Sequence, residues 1–374
     1  MPTTARSAPS AAPSAAPSPA PAAGTRSGPD HADHARPDVL TLEEVLARDP
    51  GTFRVLTGDR PTGALHVGHL FGTLATRVAL QRHGVETFVV VADYQVITDR
   101  DDAGDLPATV REVVLDYLAA GLDPEATTVF VHSDVPAVHQ LMLPFLSLVT
   151  VAELDRNPTV KAELAASGRA LSALLLTYPV HQAADILSVR GTLVPVGRDQ
   201  LPHLELTRTV ARRFTRRYGP VLTEPTALLS QAPLVLGTDG AKMSKSRGNA
   251  IELRADADAT AAAVRGARTD ARRTITYDPA HRPEVSNLLL LGALASARTP
   301  QDLADEIADG GAAALKAYVT DALVAHLAPV RARRAELARD PFLVRDVLAR
   351  GAARAAQEAD ATLADVRRAM RQTS

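Results

Sequence analysis

The stretch Gly63–Gly72, GALHVGHLFG, sets His66 and His69 three residues apart around Gly68, just after a short apolar run and a polar turn. Three-residue spacing puts both imidazoles on one helix face, beside the positive end of the helix. Gly63 permits a tight turn, Gly68 a close approach, and Gly72 keeps the helix surface thin. Such a helix start suits a phosphate chain or a nucleoside better than a metal. No third ligand of suitable type lies nearby, and zinc-protease spacing requires a carboxylate between the histidines.

Outward from this stretch, FRVLTG (Phe53–Gly58) reads as a strand and Leu70 to Gln81 as a helix. VETFVVVAD, ending at Asp93, is strongly β-forming, and Leu106 to Ala120 is helical up to Gly121. TTVFVHS is a further buried-type strand. This alternation predicts an α/β fold with a parallel sheet covered on both faces, and such sheets bind ligands beyond the carboxyl ends of their strands. Upstream, LTLEEVLARD forms a short helix capped by Thr41. Downstream, 135–190 is mostly helical, GTLVPVGRDQ returns to a strand, and LPHLELTRTVARRFTRRYG is a helix with Pro202 in its first turn. Strands are hard to find after Ser246, and from about 286 the pattern is a helical bundle.

Composition narrows the classes. The chain of 374 residues is 46% hydrophobic and carries a net charge of -2, which by itself argues for no polyanionic partner. It has no cysteine, excluding disulfides and thiolate chemistry. Tryptophan is absent and aromatics are 3%, so Leu, Val and Ala must build the core. Residues 1–38 are rich in Pro and Ala, without apolar periodicity, and read as a disordered tail. Its prolines interrupt every candidate signal-peptide core, and no run is long enough for a membrane span.

A second stretch, GTDGAKMSKSRGNAIEL, has Gly237 and Gly240 framing a loop with Lys242 and Lys245 three residues apart among serines. Alone it is an ordinary solvated turn. Together with the first stretch it suits a pyrophosphate on which charge develops during reaction. HVGH with KMSKS resembles the paired signatures of the class I aminoacyl-tRNA synthetases. LLTYPVHQAADIL (Leu175–Leu187) and LVPVGRDQLPHLELTR (Leu193–Arg208) resemble the tryptophanyl-tRNA synthetases in particular, as do two carboxyl-terminal segments, and the likeness runs from Phe53 to Met370.

The resemblance implies a Rossmann-type nucleotide-binding domain over 39–250, including a helical insertion and the KMSKS loop. It implies an all-helical domain over 251–374 that recognises the tRNA anticodon. The activity implied is ATP-dependent formation of tryptophanyl-adenylate, then transfer to tRNA(Trp), in a cytoplasmic homodimer with Mg²⁺ on the phosphates and no protein-held metal. Arg60, Pro61, Thr62, Gly68, His69, Gly197, Arg198, Asp199, Lys242, Met243, Ser244, Lys245 and Ser246 match nucleotide contacts. Asp185 matches the acceptor for the indole N–H, and Tyr178 and Gln200 match positions that hold the ammonium group. Lys245, Lys242, His66, His69 and Ser244 are the expected catalytic groups, with Lys245 foremost.

Departures from the family pattern cluster near the indole pocket. Gln182 stands where many relatives have Met, His181 where the residue is often apolar, and Tyr94 and Gln95 replace an Asp-x-His loop. Arg331–Arg334, Arg354, Arg367 and Arg368 are candidate tRNA-phosphate contacts. Two other readings stay open on the sequence: a tyrosyl-tRNA synthetase, and a synthetase-like RNA-binding protein without catalysis.

Overall fold

A computed structural model describes residues 39–98, 103–167, 170–229, 234–244 and 247–372. The expected tail at 1–38, and Lys245 and Ser246, lie outside the described residues. The strands are β1 (Val39–Leu40), β2 (Arg54–Asp59), β3 (Glu86–Val91), β4 (Thr127–Val131), β5 (Leu193–Val196) and β6 (Thr226–Leu229). They form one sheet in the order β1-β6-β5-β2-β3-β4, with every pairing parallel. The all-parallel expectation is met. Its Val- and Phe-rich central strands have both faces covered, which explains why they read as apolar runs without alternation.

The longer helices are α1 (Ala75–His83), α2 (Leu106–Ala119), α3 (Pro136–Leu146), α4 (Ala173–Ser188), α5 (Leu201–Tyr218), α6 (Ala257–Gly266), α7 (Pro283–Ser296), α8 (Gly311–Leu337) and α9 (Leu343–Ala369). Their starts follow local chemistry. Asp105 caps α2, Ser172 caps α4 and Asp256 caps α6, each accepting a backbone N–H from its helix's first turn. Pro202 occupies the first turn of α5, as read from the sequence. Thr41 and Glu44 close a reciprocal capping box on the short helix Leu42–Leu46.

The sheet turns about β2. From β2 the chain proceeds to β3 and β4 on one side, while β5 and β6 lie on the other, so the order reverses between β2 and β5. β2 and β3 pair over six positions, whereas β2 and β5 pair only at Val55 and Leu193. The two strands therefore part towards their carboxyl ends and open a crevice at the switch point.

The carboxyl-terminal helices share their core with the sheet layer. One apolar cluster joins Leu65, Val67 and Leu70 to Ile251, Leu253, Leu288, Leu323 and Val347. A second joins Leu56 and Phe88 to Ala359, Leu363 and Val366. α9 lies directly against β4, the last strand of the described sheet. A side chain at Gly351 would bring its Cβ to 1.7 Å from the Val129 carbonyl oxygen, so no larger residue fits there. No helix of the described residues is long and apolar enough to cross a membrane.

Candidate active site

A cavity of about 470 Å³ opens at the parted ends of β2 and β5. Its walls gather Arg60, His69, Tyr178, Gln182, Asp185, Gly197, Asp199, Gln200 and Lys242, residues that span much of the chain. Pro61, Thr62, His66, Gly68, Arg198, Met243 and Ser244 do not line it.

The histidine stretch starts a helical segment. His66 is the N-cap of Val67–His69, a π-helical turn follows at Leu70–Leu74, and α1 continues from there. The His66 backbone N–H donates to His69 Nδ1 at 3.2 Å, and the two rings lie 3.8 Å apart. The sequence assigned Gly68 to nucleotide approach. In the structure the close neighbour is the His66 ring, whose Nδ1 lies 3.0 Å from where a Cβ would sit. Burial, then repulsion from His69, pulls the His66 pKa down to about 3 against the attraction of Asp59, so it is neutral at neutral pH.

A buried ionic network lies beneath this stretch and was not read from the sequence. Arg77 of α1, fully buried, donates from Nη1 to Asp59 Oδ2 at 2.7 Å and from Nε and Nη2 to Thr57 Oγ1. Tyr117 donates to the same Asp59 oxygen at 2.6 Å. Burial alone would raise the Asp59 pKa. Arg77 and His69, with the hydrogen bonds from Arg77 and Tyr117, overcome it and hold the carboxyl at about 2. Arg77 sits on a face otherwise built from Val78 and Leu80, so helical periodicity shows only an interruption of an apolar stripe.

The two signature stretches meet through backbone. Val67 N–H donates to Ile251 C=O at 3.0 Å and Leu253 N–H to Leu65 C=O at 2.9 Å. Between them, Leu236 and Lys242 form an isolated antiparallel bridge. Asn249, 2% exposed, organises the turn: Oδ1 accepts from Ser244 N–H at 2.7 Å, and Nδ2 donates to Asp239 Oδ1 and the Lys242 carbonyl. Asn287 of α7 clamps both backbone groups of Leu236. Met243 is packed into the apolar core with Ile251 and Leu288 rather than facing the cavity.

On the opposite wall, Asp185 of α4 is 2% exposed. His132 Nε2, at the end of β4, lies 2.6 Å from Asp185 Oδ1, an electrostatic pair set off the hydrogen-bond direction. Tyr178 OH contacts His203 Nε2 at 2.8 Å, and Gln200 Nε2 donates to Asp199 Oδ2 at 3.3 Å. Asp199 folds back over Gly197, where its Oδ1 would lie 2.6 Å from an added Cβ. Glu163 lines the same wall without having been singled out in the sequence.

Arg331, Arg334, Arg354, Arg367 and Arg368, read as candidate tRNA-phosphate contacts, have partners within the chain. Arg334 is inward, paired at 2.7 Å with the buried Asp116 and also with Glu112. Arg354 bridges Glu86 and Glu358, Arg331 donates to the carbonyls of Ala255 and Val324, Arg367 to Gln140, and Arg368 to Asp365. Arg334 ties α8 to α2, Arg367 ties α9 to α3 and Arg354 ties α9 to β3. Arg368 pairs within its own helix on the exposed surface, and charge counting along the sequence does not reveal these distinctions.

Comparison with known proteins agrees with this geometry. Residues 49–328 match the family model described as tRNA synthetases class I (W and Y). A tryptophan–tRNA ligase of Treponema pallidum (strain Nichols) is 45% identical over 337 residues, covering 85% of this chain and 96% of the relative. One from Clostridium longisporum is 40% identical over 324 residues, covering 84% and 95%. Among solved structures, the Campylobacter jejuni tryptophanyl-tRNA synthetase complexed with ADP and tryptophan superposes with a TM-score of 0.73 at 28% identity, covering 85% of this chain and 99% of that one. With a parallel sheet parted at its switch point and both signature stretches joined there, the chain belongs to the tryptophanyl-tRNA synthetases of class I.

Proposed function

We propose that the cavity between β2 and β5 is where ATP and tryptophan meet, with the nucleotide towards His69 and Lys242 and the indole towards α4. The activity is that of the family: ATP-dependent activation of tryptophan and its transfer to tRNA(Trp). One observation carries the site assignment. Residues matched to the ATP and tryptophan contacts, from five separate parts of the chain, line one cavity at the sheet's switch point.

The tryptophan carboxylate is already ionised at neutral pH, so its oxygen attacks the α-phosphorus without a general base. The α–β bridging bond breaks and pyrophosphate leaves with the electron pair. Catalysis then rests on positioning and on charge placed where the leaving group develops it. His69, Lys242 and Arg60 face the cavity, while His66 steadies His69 through its backbone N–H. Lys245 and Ser244 are assigned to the leaving group with Lys242. Asp199 is assigned to the ribose, alongside Gly197 and Arg198. Pro61, Thr62, Gly68, Met243 and Ser246 are assigned to the nucleotide by the family pattern. The nucleotide wall offers cationic and neutral donors, and the half-buried carboxylate of Asp59 on it is held by Arg77 and Tyr117. That set fits Mg²⁺ carried on the phosphates, where it neutralises charge, rather than bound by side chains.

Asp185 accepts the indole N–H, and Tyr178 and Gln200 hold the ammonium group. A phenylalanine side chain offers Asp185 no donor, which is how a buried acceptor discriminates. In the second step the terminal ribose hydroxyl of tRNA(Trp) attacks the adenylate and AMP leaves. Residues 251–374 serve anticodon recognition in a cytoplasmic homodimer.

Amino-acid-dependent ATP–pyrophosphate exchange tests this reading. Exchange with tryptophan but not tyrosine, reduced by about a hundredfold or more in Asp185→Ala, is expected. Exchange with tyrosine, or an undiminished Asp185→Ala variant, overturns the pocket assignment. No exchange with either amino acid favours the non-catalytic RNA-binding reading.

A further inference from the structure

Three histidines far apart in sequence converge behind the amino-acid wall. His132 follows β4, His139 lies on α3 and His181 on α4. One ring nitrogen from each lies within 4.8 Å of the others. The His132 and His181 rings stack at 4.1 Å, and His139 Nδ1 stands 2.8 Å from His181 Nε2. Exposures of 0% for His132 and 5% for His181 exclude bulk water as their general partner. Yet His132 Nδ1 and His139 Nε2 are buried without a hydrogen-bond partner. A buried polar atom without a partner costs about 1–3 kcal/mol, so two of them in one cluster call for a bonding partner that the chain does not supply.

We propose that His132, His139 and His181 form a site for a divalent transition metal of the zinc class, adjoining the amino-acid pocket. Three imidazoles without thiolate suit Zn²⁺ and its neighbours rather than Mg²⁺ or Ca²⁺. Metal–nitrogen bonds of about 2.0–2.1 Å at tetrahedral angles separate the ligand atoms by about 3.3 Å. The closest pair stands at 2.8 Å and all three nitrogens lie within 4.8 Å. Binding therefore requires small adjustments of the rings, of which that of His139 is only half-buried. Asp185 supplies the outer partner. Its carboxylate beside His132 Nε2 favours the proton on that nitrogen and leaves the Nδ1 lone pair for the ion. Tyr94, 42% exposed with its ring 4.9 Å from that of His139, marks the side open to solvent.

The test is a titration of the full chain, freed of metal by chelation, with Co²⁺ followed by Zn²⁺. One equivalent of Co²⁺ is expected to give the visible bands of a four-coordinate nitrogen-rich site, bleached by Zn²⁺. His139→Ala should weaken binding at least about tenfold, while His281→Ala, on the exposed surface, leaves it unchanged. Zn²⁺ should raise the Tm of the parent chain and not that of His139→Ala, whose metal-free melting shows that it folds. Absence of the bands, or binding equally tight in His139→Ala and His181→Ala, overturns the proposal and leaves a hydrogen-bonded imidazole pair. Neither ATP nor tryptophan enters the measurement, so its outcome is separate from that of the exchange assay.

Discussion

Two buried polar clusters flank the same cavity, and they are built on opposite terms. Under the nucleotide wall, the Arg77 guanidinium meets Asp59 and Thr57, and Tyr117 completes the Asp59 carboxylate. Under the amino-acid wall, His132, His139, His181 and Asp185 crowd together with several buried nitrogens and an oxygen lacking a hydrogen bond. A saturated network fixes a framework, since every change to it exposes a charge. An unsaturated one keeps bonding capacity for something the chain does not supply. The difference separates a wall braced from beneath by an ion pair from one whose backing keeps bonding capacity free. On the nucleotide side, His66 Nδ1 is also buried without a partner.

That contrast can be broken by measurement. Arg77→Met strands Asp59 in the interior and should cost about 3–5 kcal/mol in urea unfolding; a loss below about 1 kcal/mol would mean that the Asp59 cluster holds nothing. Tyr117→Phe removes one charge-assisted hydrogen bond and should cost about 1.5–3 kcal/mol in the same assay. His139→Ala in metal-free protein removes one partnerless nitrogen together with the His139–His181 hydrogen bond, and should cost about 0.5–1.5 kcal/mol. A larger loss there would show the histidine cluster to be saturated after all.

Acid sharpens the same comparison. His181 and His203, on the amino-acid side, have pKa values lowered to about 4, chiefly by burial. Their neutral forms belong to the folded state, so their contribution is whole above about 6.5 and is lost as pH falls towards 4. His132, drawn upward by Asp185 despite its burial, works oppositely and loses its pairing as pH rises through its folded value. Asp59 contributes fully above its unfolded value near 3.8 and loses that contribution only as pH falls through about 2. A stability profile from pH 7 to pH 3 should therefore decline first on account of the lowered histidines, and Arg77→Met should leave that early limb in place.

The strands at the centre of the sheet were legible because a buried parallel strand is a short apolar run between turns. FRVLTG, VETFVVVAD and TTVFVHS each fall on one. β1 and β6 were not read. With two and four residues at the far side of the sheet, neither accumulates a pattern. The helix read over Leu70–Gln81 begins instead as a π-helical turn, which periodicity does not distinguish from an α-helix. At the site, the signature stretches were visible because each is local. Arg77, Asn249 and the trio His132, His139 and His181 were not, because their meaning lies in partners brought up by other elements. His181 drew notice only as an unusual residue beside the pocket.

Gly351 has a consequence for how the chain is made. Until α9 docks, β4 leaves one side of its backbone available to any other strand. The helix that covers it follows β4 only after α3 to α8, so this edge stays open while all of those are being made, when partly folded chains are most prone to associate. Truncation ahead of Gly351 should therefore yield aggregates rather than a soluble catalytic fragment. The last helix acts as a seal on the sheet as well as a part of the helical region.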